Sequence, residues 1–264
     1  MIVFAAIVPH SPLLIQGVGK EKREALTQTL RAYAAIEQAL YVSHPETLVV
    51  ISPHAPSYAD AFSANMAPTY TGTLKAFGDH TTTVEAKGDF LLLDRLQRSL
   101  RASNIPFTLS SNEELDYGFT VPLLLLTSHL TDWRLVPVAP SQLDPQAHVD
   151  FGKELGQALH AEAARVAVII SADLSHKLTA ASPGGASVEG PAFDATIRHK
   201  LATMDTEGLL ALDAQAVEAA GQCGYRPIMT LLGILDGMNA KPKELCYEAP
   251  FGVGYLSMPF DLGT

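Results

Sequence analysis

The chain has 264 residues, a formal net charge of -10, 47% hydrophobic and 17% charged residues. The acidic balance repels phosphate backbones and anionic lipid surfaces, which argues against nucleic-acid and membrane partners; the apolar share argues against disorder and suffices for a buried sheet. Two cysteines without a C-x-x-C pattern offer neither a disulfide framework nor a four-cysteine zinc site, so any metal would rest mainly on histidine and carboxylate.

The opening "MIVFAAIVPH" carries no basic leader or small-residue cleavage site, and no apolar run reaches bilayer length, so the expected compartment is the cytoplasm. Nothing reads as a hinge, and residues 1–264 suit one large domain. Residues 2–8, 47–52, 134–138 and 166–171 are short, β-branched and nearly continuous in apolar character, as expected of strands buried on both faces. Residues 20–43 place Leu26, Leu30, Tyr33 and Leu40 on one helical stripe, and residues 88–103 and 145–163 behave alike. This alternation predicts an α/β fold, a three-layer α/β/α sandwich around a mostly parallel or mixed central sheet. "AASPGGASVEG", residues 180–190, reads as a mobile loop and a candidate lid. Residues 191–220 read as short helices, residues 225–239 as a longer one, and residues 245–260 as a closing strand pair in which Gly252 and Gly254 allow turns or bulges.

His10 and His54 each follow a buried strand, and ligands of open α/β sheets gather at the carboxyl ends of strands. Pro9, Pro12, Pro53 and Pro56 stiffen the backbone around both rings, which lowers the entropy cost of metal coordination. Two proline-capped strand ends with polar caps would leave the same pattern. "SADLSH" repeats the theme: Asp173 could orient His176, or could form an Asx-turn beside an exposed ring. His80 follows a Gly-Asp turn signal and reads as exposed. His44, His129, His148, His160 and His199 fall on helices or their ends, where partnering of a helix C-terminal dipole is the ordinary explanation. Tyr58 and Tyr225 could line a pocket for an aromatic ring, and Arg226 could hold a carboxylate or form a structural salt bridge.

The ordered series "VPHSP", "SPHAPSY", "LDYGFTVPL", "SADLSH" and "CGYRPIMTLLGIL" resembles the class III extradiol dioxygenase superfamily, in the B-subunit-like branch that includes the Memo proteins, over nearly the whole chain. The resemblance implies that His10 and His54 ligate a non-haem Fe(II) and that His176, with Asp173 and Tyr117 beside it, serves acid–base chemistry. In those dioxygenases a glutamate completes a two-histidine, one-carboxylate face. Here the matching position is Cys223, as in the Memo branch, with Glu218 as the alternative. Tyr117 stands where many ring-cleaving relatives carry histidine. The implied activity is cleavage of a catechol-type aromatic diol with O2, with a possible small partner subunit and a homo-oligomeric assembly. A thiolate also suits Cu or Zn, which opens a Memo-like metal-binding or redox role without ring cleavage, and a zinc hydrolase is a third reading.

Overall fold

The computed structural model describes residues 1–263. Twelve strands form its sheet: β1 (Ile2–Val8), β2 (Thr47–Ile51), β3 (Phe62–Asn65), β4 (Thr69–Leu74), β5 (Asp79–Gly88), β6 (Phe107–Ser110), β7 (Glu114–Leu115), β8 (Arg134–Ala139), β9 (Val166–Ser171), β10 (Lys241–Pro242), β11 (Cys246–Glu248) and β12 (Tyr255–Asp261). At the centre β1, β9, β2 and β8 run parallel in that order, and β12 closes antiparallel against β1. β8 then forks along one edge. Arg134 and Leu135 pair with β5, while Val138 and Ala139 pair with β3.

The helices are α1 (Gln16–Gly19), α2 (Thr27–Val42), α3 (Phe90–Ala102), α4 (Tyr117–Leu126), α5 (Pro145–His160), α6 (Glu189–Ala202), α7 (Thr206–Leu210), α8 (Ala214–Ala219) and α9 (Tyr225–Ile234). They cover both faces, because alternate residues of each central strand point to opposite sides. Ile7, Val49, Ile51, Val136, Val168 and Ile170 pack with the apolar stripes of α3, α5 and α9. Ala6, Val8, Leu48, Val50, Ala167 and Ile169 pack with those of α2 and α4. Each such fully buried Val, Leu or Ile side chain stabilises the fold by about 1.5–3 kcal/mol. The sandwich expected from the alternation is therefore present, with a mixed sheet.

Three expectations shift. Residues 20–26 form a 3-10 segment rather than the start of α2, since Lys20 sits at φ 48° and the charged "KEKRE" run has no apolar stripe. α9 stops at Ile234, well short of residue 239, and the chain turns at Gly237 with φ 73°. Residues 180–190 do not form a free lid: Gly184 N–H donates to His176 O at 3.0 Å, Ser187 N–H to Lys177 O at 2.9 Å, and Leu178 bridges to Ala186. Among the described residues no helix is long and apolar enough to cross a membrane.

The closest helix contact is between α5 and α9, where the backbones meet over Gly152 and Gly233. A Cβ on Gly233 would lie 2.1 Å from Val149 O and 2.9 Å from the Gly152 Cα. Backbone cannot yield as a flexible side chain does. Gly233→Ala is expected to lower the unfolding free energy by about 1–3 kcal/mol in urea titration, the usual cost of overpacking.

Candidate functional site

β9 lies between β1 and β2, and the register sets Val8 opposite Ser171 and Ile51 opposite Ile170. Three parallel strands thus end level at one edge. The chain leaving each begins the site: His10 after β1, His54 after β2, and Asp173 to His176 after β9. Residues 220–224 are stitched to this last segment. His176 N–H donates to Gly221 O at 3.1 Å, Ser175 Oγ donates to Ala220 O at 2.7 Å, and a Cβ on Gly224 would lie 2.8 Å from Asp173 O. The stitching brings Cys223 over the strand ends, where its thiol donates to Asp173 O at 3.5 Å.

His10, His54 and Cys223 each present one ligand atom, all within 4.8 Å of one another. His10 Nε2 is 3.0 Å from His54 Nε2 and 3.5 Å from Cys223 Sγ. Ligands bound at 2.0–2.3 Å have neighbouring donor atoms about 2.8 to 3.7 Å apart, so the donor spacing fits one ion after a small closing movement of the third edge. The donor chemistry fits as well. Burial, reinforced by neighbouring imidazoles, pulls both His10 and His54 down to about 3, so both rings are neutral and able to ligate at physiological pH. Burial and the Asp173 carboxylate hold the Cys223 thiol well above its usual range, a preference that a bound cation would reverse.

The tautomer of His10 follows from a chain of hydrogen bonds. Pro122 in α4 has no N–H, so the Gly118 carbonyl four residues earlier lacks its helical donor. Ser171 Oγ donates to that carbonyl at 2.5 Å. With its one proton so committed, Ser171 Oγ accepts from His10 Nδ1 at 2.8 Å, which leaves the His10 Nε2 lone pair bare and aimed at the cluster. His176 is fixed similarly, since its Nδ1–H can only donate to Gly221 O, at 2.9 Å, leaving Nε2 basic.

Asp173 serves the backbone: its Oδ1 accepts the His10 N–H at 2.9 Å, while Oδ2 lies 3.6 Å from His10 Nε2 and outside the three-donor group. Burial pushes its carboxyl up, opposed by that N–H and by His176. Tyr117 opens α4 and stacks on His54, with ring centroids 4.3 Å apart and Oη 2.8 Å from His54 Nε2. Beside the cluster opens a cleft of about 470 Å³, lined by His54, Ser57, Ser141, Gln142, Cys223 and Arg226 among others, and by no carboxylate.

Several expected site residues lie elsewhere. Glu218 is exposed and does not join the donor group. Tyr225 is buried and gives its hydroxyl to Leu209 O at 2.7 Å, so its ring is core rather than pocket wall. Tyr58 is exposed and does not line the cleft. Arg226 does line it. His148 is not a dipole partner at a helix end: it is fully buried in the first turn of α5, with Nδ1 donating to Asp144 O at 2.8 Å. His80 is exposed.

Residues that the sequence reading passed over hold the site in place. Ser52 Oγ donates to Asp116 Oδ1 at 2.8 Å, tying the end of β2 to the cap of α4. Asp194 of α6 accepts Ser175 N–H at 2.8 Å and Tyr247 Oη at 2.7 Å, which anchors the segment before His176. Asp116 had a local signal, an acidic cap ahead of an apolar run; Ser171 and Asp194 act across long sequence separations and had none.

The chain belongs to the family of the catalytic LigB subunit of aromatic ring-opening dioxygenase, which matches residues 4–258. It is 27% identical over 264 residues to Protein CA_C1420 of Clostridium acetobutylicum, covering 97% of this chain and 56% of that protein. It is 26% identical over 199 residues to a 2,3-dihydroxyphenylpropionate/2,3-dihydroxicinnamic acid 1,2-dioxygenase of Paraburkholderia xenovorans, covering 72% of this chain and 61% of that one. The chain therefore spans little more than half the length of these curated relatives. Among solved structures, uncharacterized protein JW3007 from Escherichia coli K12 superposes with a TM-score of 0.63 at 16% identity, over 97% of this chain and 99% of that chain, a likeness of fold.

Two expectations follow. Ser171→Ala leaves both the Gly118 carbonyl and the His10 Nδ1–H buried without partners, and should lower the unfolding free energy by about 2–4 kcal/mol in urea. Asp194 is a buried carboxyl raised from 3.8 to about 6, chiefly by desolvation. The folded state binds its proton more tightly than the unfolded state, so its contribution is fully present below about pH 4 and is lost as pH rises through about 6. Unfolding of the wild type relative to Asp194→Asn, followed from pH 4 to pH 7, should show a loss of about 2 kcal/mol across that window.

Proposed function

We propose that the chain is a metal-dependent oxidoreductase of the ring-opening type, with His10, His54 and Cys223 holding one non-haem ion, Fe(II) first among metals, and a catechol-type aromatic diol and O2 as reactants. The observation that carries the reading is the convergence of three donor atoms beside a cleft, in a chain whose family is that of ring-opening dioxygenase subunits. When bound, the ion would lower the diol's pKa and bring the two reactants onto one centre.

The protein's own groups do the rest. His176 keeps Nε2 free to accept a proton from the diol and to return it, and the Gly221 carbonyl holds its ring in the tautomer this needs. Ser171 and Asp173 lock His10 from two sides, through the ring and through the backbone. Arg226 is exposed at the cleft, forms no salt bridge among the described residues, and is suited to an anionic substituent on the ring.

Cys223 favours a second reading. A thiolate is softer than a carboxylate and suits Cu(I) or Zn, so the same cluster could serve as a thiol-dependent metal or redox site that cleaves no ring. One set of measurements separates the two. The protein is loaded anaerobically with Fe(II), Cu(I) or Zn, metal content is determined, and oxygen uptake is followed with a panel of catechols. Ring opening with Fe(II) supports the first reading, while full metal occupancy with no oxygen uptake on any catechol leaves only the second. In either case Cys223→Ser should weaken metal binding by about tenfold or more; unaltered affinity would show that the thiol is not a ligand.

A further inference from the structure

Tyr117 is set apart from the other tyrosines by what its hydroxyl faces. The phenols of Tyr33, Tyr70, Tyr225, Tyr247 and Tyr255 each donate to a protein oxygen: Pro9 O, Asn65 O, Leu209 O, Asp194 Oδ2 and Ser11 Oγ. Tyr41 and Tyr58 are exposed. Tyr117 is half-buried, and the hydrogen bonds of its Oη run to the nitrogens of His54, 2.8 Å to Nε2 and 3.3 Å to Nδ1.

Its ring touches both imidazoles, stacked on His54 and edge-on to His10 with centroids 5.6 Å apart, and Phe77 backs it edge-on at 5.2 Å. The backbone that carries it is equally constrained. Asp116 caps α4 through Gly118 N–H at 2.7 Å and accepts Ser52 Oγ, two residues before His54. Donor atoms therefore run in an unbroken series: Tyr117 Oη to His54 Nε2 at 2.8 Å, His54 Nε2 to His10 Nε2 at 3.0 Å, His10 Nε2 to Cys223 Sγ at 3.5 Å. Each step matches the spacing of about 2.8 to 3.7 Å between neighbouring ligands of one ion.

We infer that Tyr117 supplies a fourth, phenolate donor to the ion, completing a set of two nitrogens, one sulfur and one oxygen. The inference rests on the reading that His10, His54 and Cys223 hold a metal. On coordination the phenol O–H bond breaks, its proton leaves to solvent, and the oxygen lone pair forms the new bond; no electron is transferred. Phenolate and thiolate together bring two negative charges where the two-histidine, one-carboxylate face brings one. That pair balances a divalent ion and favours the trivalent state of iron relative to the carboxylate set.

The test is spectroscopic and needs no turnover. The protein is loaded with Fe(II), oxidised to Fe(III) with ferricyanide, and examined by resonance Raman with and without ring-deuterated tyrosine. The expected result is a set of phenolate ring modes that shift with the label, survive Cys223→Ser, and vanish in Tyr117→Phe while iron content is retained. Iron-bearing wild type without phenolate modes, or modes that persist in Tyr117→Phe, would overturn the inference and leave the three-donor reading standing. Wild type that takes up no metal of any kind would overturn both. Should Tyr117→Phe fail to fold, the labelled wild-type spectrum still decides whether a phenolate is bound.

Discussion

The parallel register of β1, β9 and β2 is the constraint on which the site depends. Parallel strands carry their carboxyl ends to one edge of a sheet, and here three adjacent strands end within a residue of one another. A slip of one residue in any of them would exchange its two faces. Both faces of these strands are buried, so such a slip would exchange side chains between two closely packed cores, each fitted to the shapes it now holds. The separation of 3.0 Å between two imidazole nitrogens is in this sense a property of the hydrophobic packing several residues below it.

The strands that present the site were legible because burial on both faces leaves a short, continuous apolar run, which few other elements share. The strands between residues 62 and 115 were not, although the helix read over residues 88–103 is α3. β5 carries the polar run "DHTTTVE", and β3 and β6 have four residues each, so hydrophobic run length does not mark them. Their pairing depends on the fork in β8, a feature of topology rather than of local composition. The histidines could be picked out by their place after strands. That Cys223 and not Glu218 reaches the strand ends is decided by Ser175 and His176 gripping residues 220 and 221, which fixes how far the chain has turned before α9 begins. The misplacement of Tyr225 has a similar cause. Side chains two apart at a helix start diverge, so Cys223 facing the cleft sends Tyr225 inward to Leu209.

The two layers of helices contribute unlike groups. Cys223 precedes α9, which packs on one face of the sheet, and Tyr117 begins α4, which packs on the other. The histidines come from the sheet between them. No single helix therefore determines which groups surround the histidine pair, and a change in how either layer sits on the sheet would alter one side of the cluster while leaving that pair in place.

The link from Pro122 to His10 shows how far that dependence extends. A proline inside a helix usually costs about 3 kcal/mol, because a carbonyl one turn back loses its donor. In α4 that carbonyl, Gly118 O, is recruited by Ser171 at the end of β9, and the proton commitment of Ser171 in turn dictates the tautomer of His10. The close approach also explains the glycine: a Cβ at position 118 would lie 2.3 Å from Ser52 Oγ and 3.3 Å from His54 Cδ2. In "YGFTVP" the tyrosine faces the cluster, the glycine admits the strand ends, and the proline frees the acceptor that orients His10. A helix defect and the tautomer of His10 are thus one structural fact, transmitted through two hydrogen bonds.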